Sequence, residues 1–181
     1  MFTLFKNGTI VTEKEVLKTN LLIEDEKIVA IGDQIETNGQ VTVVDAEGLF
    51  ILPGGVDAHV HLDLPMFGTV SSDDHYTGMK AAAFGGTTTV IDFVSQDSDD
   101  ILGNVRKLRQ KADSKAAIDY GFHANISHLT EDVEKDIPKL VEEGVTSVKV
   151  FTAYNNRMRL QDGEIFKVMR IARESGILTM L

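Results

Sequence analysis

Gly54-Gly55-Val56-Asp57-Ala58-His59-Val60-His61-Leu62-Asp63-Leu64-Pro65 decides how the rest of the chain is read. Side chains alternate across a strand. A strand over 56–62 therefore puts Asp57, His59 and His61 on one face and Val56, Ala58 and Val60 on the other. Two imidazoles sharing a face near a strand end can ligate one metal ion. A lone histidine there is ordinarily structural. His-x-His after Gly-Gly-x-Asp, with carboxylates close by in sequence, favours ligation.

Working downstream, strand and helix patterns alternate. Residues 76–84 read as a helix stopped by Gly85-Gly86. The β-branched run 87–94 reads as a second strand. Residues 101–115 place Ile101, Val105, Leu108 and Ala112 at helical spacing. Residues 116–126 read as a third strand. Thr130 caps a helix running to Glu143, which Pro138 kinks or divides. Residues 145–151 form a fourth strand. Residues 162–174 form a fourth helix with Ile165, Val168, Met169 and Ala172 on one stripe, and 177–181 begin a fifth strand. Repeated strand-helix units predict parallel strands joined by right-handed crossovers. Ligands then bind at the strands' C-terminal ends, where His59 and His61 lie.

Upstream, residues 1–52 read as β-strands alone, and Pro53-Gly54-Gly55 marks a boundary. Strands 2–6 and 9–11 around Asn7-Gly8 predict a hairpin. Strands 21–24 and 27–31 flank Asp25-Glu26, and 41–45 and 49–52 flank Glu47-Gly48, which completes a small meander. No catalytic grouping falls in this segment, and its acidic residues read as a solvated face.

Composition narrows the function classes. With 181 residues, 43% of them hydrophobic, the chain can bury a core. A formal net charge of −10 argues against nucleic acid or an anionic membrane as partner. The absence of cysteine excludes disulfides and thiolate chemistry and makes a reducing cytoplasm the simplest location. No apolar run approaches a membrane span, and residues 1–6 do not resemble a signal peptide. Neither Gly54-Gly55 nor Gly85-Gly86 has the spacing of a phosphate-binding loop.

Other residues carry two readings each. Lys149, in Ser147-Val148-Lys149-Val150-Phe151, either points to solvent from an edge strand or faces a metal centre. In the second case CO2 addition turns its amine into an oxygen ligand. Tyr154 either packs in a loop or donates a hydrogen bond to an oxyanion. Asp92 could stand behind a metal ligand or accept hydrogen bonds at a strand end. His123 reads as a satisfied core or rim histidine, and His75 and His128 as structural loop residues.

Taken together, the chain resembles the N-terminal part of the hydantoinase/dihydropyrimidinase family, the cyclic amidohydrolases of the amidohydrolase superfamily. The resemblance rests on residues 54–65, Ser72-Asp73-Asp74, residues 81–93 and Ser147-Val148-Lys149-Val150-Phe151-Thr152-Ala153-Tyr154. It implies an α/β fold: the first half of a (β/α)8 TIM-like barrel (53–181), preceded by a small β-sandwich segment (1–52). It implies two divalent metal ions, usually zinc, with His59 and His61 on one ion and carboxylated Lys149 bridging both. A hydroxide between the ions would attack the ring amide of a small cyclic amide or imide, hydantoin or dihydropyrimidine, giving an N-carbamoyl amino acid. Tyr154 would stabilise the oxyanion and contact substrate. By position, Met66, Phe151 and Met158 would shape the pocket for the substrate's exocyclic group. The family is commonly a homotetramer.

The family also takes two histidines from its fifth and sixth strands and an aspartate from its eighth, none of which the resemblance finds here. A closed barrel takes about 250 residues, whereas roughly 130 follow position 52. The expectation is therefore a fragment, inactive alone, of a hydantoinase-like parent. The alternative is a non-catalytic half-barrel acting as a binding or assembly module through an open sheet edge.

Overall fold

Thr87, Thr88, Thr89, Val90 and Ile91 leave little choice but extended backbone, because branching at Cβ crowds the helical χ1 rotamers. They open strand β11 in a computed structural model that describes residues 1–181 except Asn38, Phe67 and the Met66 side chain. In chain order the elements are strands β1 (Phe2–Lys6), β2 (Thr9–Val11), β3 (Val16–Lys18), β4 (Asn20–Glu24), β5 (Lys27–Gly32), β6 (Val41–Asp45), β7 (Phe50–Ile51), β8 (Gly55–Val60), β9 (Pro65–Met66) and β10 (Thr69–Val70). There follow α1 (His75–Phe84), β11 (Thr87–Val94), α2 (Ile101–Asp113), β12 (Asp119–Ile126), α3 (Glu131–Asp136), β13 (Ser147–Val150), α4 (Asp162–Glu174) and β14 (Leu178–Met180). The chain divides into two compact units, Met1–Pro53 and Gly54–Leu181.

In the second unit five strands pair in the order β14-β13-β12-β11-β8, every pairing parallel. Phe122, Ala124 and Ile126 of β12 and Val148 and Val150 of β13 join the apolar core. Val105 and Ala112 of α2, Val133 of α3 and Val168 and Ala172 of α4 complete it from the helical side. Alternation then turns His123, Asn125, Ser147 and Lys149 to the other face. Asp74 caps α1 by accepting from Thr77 N–H, while the Thr77 hydroxyl receives the Asp74 N–H in return.

Several boundaries differ from the sequence reading for identifiable reasons. The first barrel strand ends at Val60, so His61 stands just beyond it, where the pairing with β11 is irregular. The helix expected to Glu143 is α only to Asp136 and continues as a 3-10 turn over Ile137–Val141. Pro138, at the start of that turn, has no N–H to give an α-helical carbonyl. The third strand starts at Asp119 rather than 116 and the fourth covers only Ser147–Val150. The β9–β10 hairpin was not anticipated.

In the first unit the meander is replaced by two sheets, β5-β4-β1-β6 and β3-β2-β7. Asn7 does turn with φ +63, yet β1 and β2 enter different sheets rather than forming the expected hairpin. Strand β1 already pairs with β4 on one edge and, in parallel, with β6 on the other. The same applies across Glu47-Gly48, because β7 pairs in parallel with β2. The β4–β5 hairpin across Asp25-Glu26 forms as read.

Ile126, fully buried in the core, measures how tightly the helices seal the sheet. Ile126→Ala should lose about 2–5 kcal/mol and Ile126→Val about 0.5–1.5 kcal/mol in urea denaturation. Near-equal losses for the two would show that the site refills without leaving a cavity.

Candidate metal centre

The polar face of the parallel sheet is organised around an aromatic ring. Phe93, near the C-terminal end of β11, is 3% exposed although it lies outside the helix-side core. Its ring centroid is 4.6 Å from that of His59, 5.1 Å from that of His61 and 4.8 Å from that of His123. The His59 and His61 rings stand edge to face, 5.2 Å apart. Lys149 Nζ sits 4.3 Å from the Phe93 centroid and 5.4 Å from that of Phe151. Strand β13 lies between β12 and β14, so Lys149 is half-buried among these rings and does not project from a sheet edge.

Electrostatics favour neutral imidazole at this position. Partial burial is the largest effect on His61 and lowers its pKa; Asp92 opposes this, while electrostatic repulsion from the His59 and Lys149 side lowers it further. A neutral ring nitrogen keeps the lone pair that a metal ligand requires. The donor set is thus two imidazoles and one amine that would become an oxygen donor once it carried CO2. These residue types fit a divalent ion of the zinc class. Among the described residues, no group of three or more His, Cys, Asp or Glu side chains converges to hold one.

The remaining expected residues are placed as follows. Tyr154 follows Phe151 in a turn, with φ +65, 62% exposed, its ring 6.1 Å from that of Phe151. Its backbone carbonyl accepts from the N–H groups of Arg157 and Met158, each at 3.1 Å. Phe151 and Met158 are half-buried on the same turn. The Met66 side chain lies outside the described residues. His123 is committed to structure: Nε2–H donates to the Ala58 carbonyl at 3.0 Å, and Nδ1 meets the Ser147 hydroxyl. His128 is exposed and pairs with Asp99 at 2.7 Å.

Three residues near the site escaped the sequence reading. Phe93 gave no signal, since an apolar residue in a β-branched run reads as core. Asn125 lies opposite Lys149 in the ladder, and its Oδ1 is buried without a hydrogen-bond partner. Its polar character at a two-residue interval from His123 was the available signal. His75 is the first residue of α1 and fully buried rather than a loop residue; Asp74 and Thr77 as a capping pair would have placed it there.

Around His75 the charges are strongly coupled. Burial opposes ionisation of Asp63, but hydrogen bonds from His75 and Lys111 outweigh it and hold the carboxyl well below the usual range. Burial likewise disfavours charge on His75, and the facing Asp92 and Asp63 overcome it and raise its pKa. Lys111 Nζ lies 3.0 Å from Asp63 Oδ1, and Lys115 Nζ lies 2.9 Å from Asp74 Oδ2.

The profile of the Amidohydrolase family matches residues 50–181. The chain is 45% identical, over 100% of its length, to a D-hydantoinase of Geobacillus stearothermophilus, of which it spans 39%. It is 38% identical to a dihydropyrimidinase of Dictyostelium discoideum over 98% of its length, spanning 36% of that protein. A crystal structure of D-hydantoinase matches with TM-score 0.93 and 46% identity, over 99% of this chain and 39% of that one. Dihydropyrimidinase from Brevibacillus agri matches with TM-score 0.94 and 42% identity, over the same shares. The chain thus spans about two fifths of the length of these relatives. Its curled parallel sheet with flanking helices is the first half of a (β/α)8 barrel, preceded by β-structure, as the resemblance implied.

The cap of α1 offers a pH test. The Thr77 N–H and then Lys115 hold Asp74 down at about 2. A carboxyl depressed on folding contributes fully above the ordinary carboxylate range, and the contribution fades as pH falls toward the folded value. Asp74→Asn keeps a cap acceptor without the charge. Its stability deficit against the parent should therefore shrink between about pH 5 and about pH 2 in denaturant titrations. A deficit independent of pH would contradict the assignment.

Proposed function

The chain belongs to the amidohydrolase family, and from that premise we propose that it supplies part of the metal centre of a cyclic amide hydrolase. Its substrates would be hydantoins or dihydropyrimidines and its products N-carbamoyl amino acids. The observation that carries this reading is the convergence of His59, His61 and Lys149 on Phe93, at the C-terminal ends of parallel strands. Residues 1–52 would be strands of a small β-sandwich, and 53–181 the first four to five β/α units of the barrel. As the family resemblance implies, further ligands would come from the fifth and sixth strands of the barrel. The active species would be the complete protein, a cytoplasmic homo-oligomer, commonly a tetramer in this family.

His59 and His61 would hold one zinc ion through neutral ring nitrogens. Lys149 would take up CO2: its neutral amine attacks the carbon, a C–N bond forms, and one proton leaves to solvent. The product would be an anionic carbamate, with which Lys149 would help hold the metal ions. When bound, the metals would lower the pKa of water and polarise the substrate carbonyl. The Phe93 and Phe151 rings would exclude water from the lysine side of the site, and partial drying strengthens each polar contact there. Tyr154, on its turn beyond Phe151, would donate its phenol O–H to the oxygen that gains charge as the ring amide is attacked. Phe151 and Met158, with Met66, would meet the exocyclic group of the substrate. No helix among the described residues is long and apolar enough to cross a membrane.

The test uses the complete gene product. His59→Ala or His61→Ala should lower zinc affinity more than about 100-fold, beyond the loss typical of removing a group behind a ligand. Lys149→Ala should remove the carbamate carbon signal in 13C NMR under labelled CO2. Tyr154→Phe should lower kcat for dihydrouracil or hydantoin opening about 100- to 1000-fold with little change in KM. Wild-type protein that opens neither ring with zinc and bicarbonate present would sink the reading.

A further inference from the structure

His75 is fully buried, and each of its ring nitrogens faces a carboxylate. Nδ1–H donates to Asp63 Oδ2 at 2.9 Å, and the His75 backbone N–H reaches the same oxygen at 3.2 Å. Nε2 lies 3.3 Å from Asp92 Oδ2, near enough for charge pairing but poorly aligned for a hydrogen bond. Asp92 is 2% exposed, and that same oxygen accepts the Leu62 N–H at 3.3 Å. The imidazole therefore spans from the end of β11 to the two residues that follow His61.

That loop needs support. Asp63 has φ +51, in the left-handed region that few non-glycine residues occupy, although aspartate enters it more readily than most. Its N–H donates to the Asp73 carbonyl at 2.9 Å, and Lys111 and Lys115 approach its carboxylate at 3.0 and 3.5 Å. Both lysines reach the loop from one side, along helix α2 and just beyond it. His75 alone of these groups also faces Asp92, and so links the loop to a neighbouring barrel strand. An apolar ring in its place would take a hydrogen-bond donor from Asp63 and the polar group that faces Asp92 at 3.3 Å, and weakened partnering of buried acceptors is costly.

We propose that His75 is a positioning residue for the metal centre, bracing Leu62 and Asp63 against Asp92 and so setting the direction in which His61 presents its ring. The proposal rests on the reading of His59 and His61 as zinc ligands. Groups behind metal ligands fix ring orientation, and their loss weakens binding even when no ligand is touched. Here the brace acts through backbone: Leu62 is adjacent to His61, and its N–H is held by the carboxylate that the imidazole faces.

The test compares His75→Phe and His75→Gln with wild type in the complete gene product, stripped of metal. Zinc affinity is read by chelator competition, and amide exchange is read at 62–64 and, as a control, at 119–126. His75→Phe should weaken zinc binding about 10- to 100-fold. Exchange at 62–64 should speed up by a similar factor while 119–126 keeps its protection. His75→Gln keeps one donor and should fall between. Affinity within about twofold of wild type in both variants would overturn the proposal, given the size of such effects elsewhere. So would a loss in His75→Gln matched by equal deprotection at 119–126, which marks general destabilisation. Should His75→Phe not fold, the His75→Gln comparison decides alone. Wild type that binds no zinc overturns the ligand reading and the positioning role together, whereas wild type that binds with unaffected variants overturns only the latter.

Discussion

A parallel strand in this fold must be dry on one face and polar on the other within four residues. In β13, Val148 and Val150 are fully buried under the helices, while Lys149 between them faces Phe93. Burying each valine stabilises by about 1.5–3 kcal/mol. A slip of one residue would exchange the faces and drive an ammonium under the helices, at a cost of several kcal/mol even after relaxation. Register is therefore held by packing on the face remote from the chemistry. The position of Lys149 is a consequence of Ile126, Val148 and Val150 as much as of the lysine itself.

On the polar face, Phe93 works as a spacer and a partial desolvating wall. It touches the rings of His59, His61 and His123 and underlies Lys149 Nζ. A cation over an aromatic face gains about 0.5–2 kcal/mol, which does not repay full dehydration of an ammonium. The lysine accordingly remains half-buried. The acidic chain places its local counter-charges with care. Asp63 and Asp74 are each met by a lysine from the α2 region, whereas pairs such as Lys135–Asp132 lie on the surface and add little.

Much of this was legible from local pattern. The strand-helix alternation, the apolar stripes of α2 and α4, and the shared face of His59 and His61 all follow from periods of 2 and 3.6. Turn chemistry misled at Asn7-Gly8 and Glu47-Gly48. Such pairs specify that the chain turns, but they do not say which strand edge is free to receive it. With β1 flanked by β4 and β6, the turning chain had to enter a second sheet. Pro138 signals a kink or division in the sequence, and its missing N–H converts the helix there to 3-10 geometry.

Local pattern alone sets the kind of chemistry available and the end of the strands at which it sits. His-x-His after a glycine pair, a lysine among β-branched residues and the absence of cysteine are properties of composition and spacing. Folding in three dimensions sets which groups meet: Phe93 between the imidazoles and Lys149, Asn125 opposite that lysine, and His75 between Asp63 and Asp92. Periodicity is local and can be read along the chain. Ladder register and the burial of a helix N-terminus join residues far apart along the chain, Asp63 and His75 at 12 positions and Leu62 and Asp92 at 30, and only packing selects those partners.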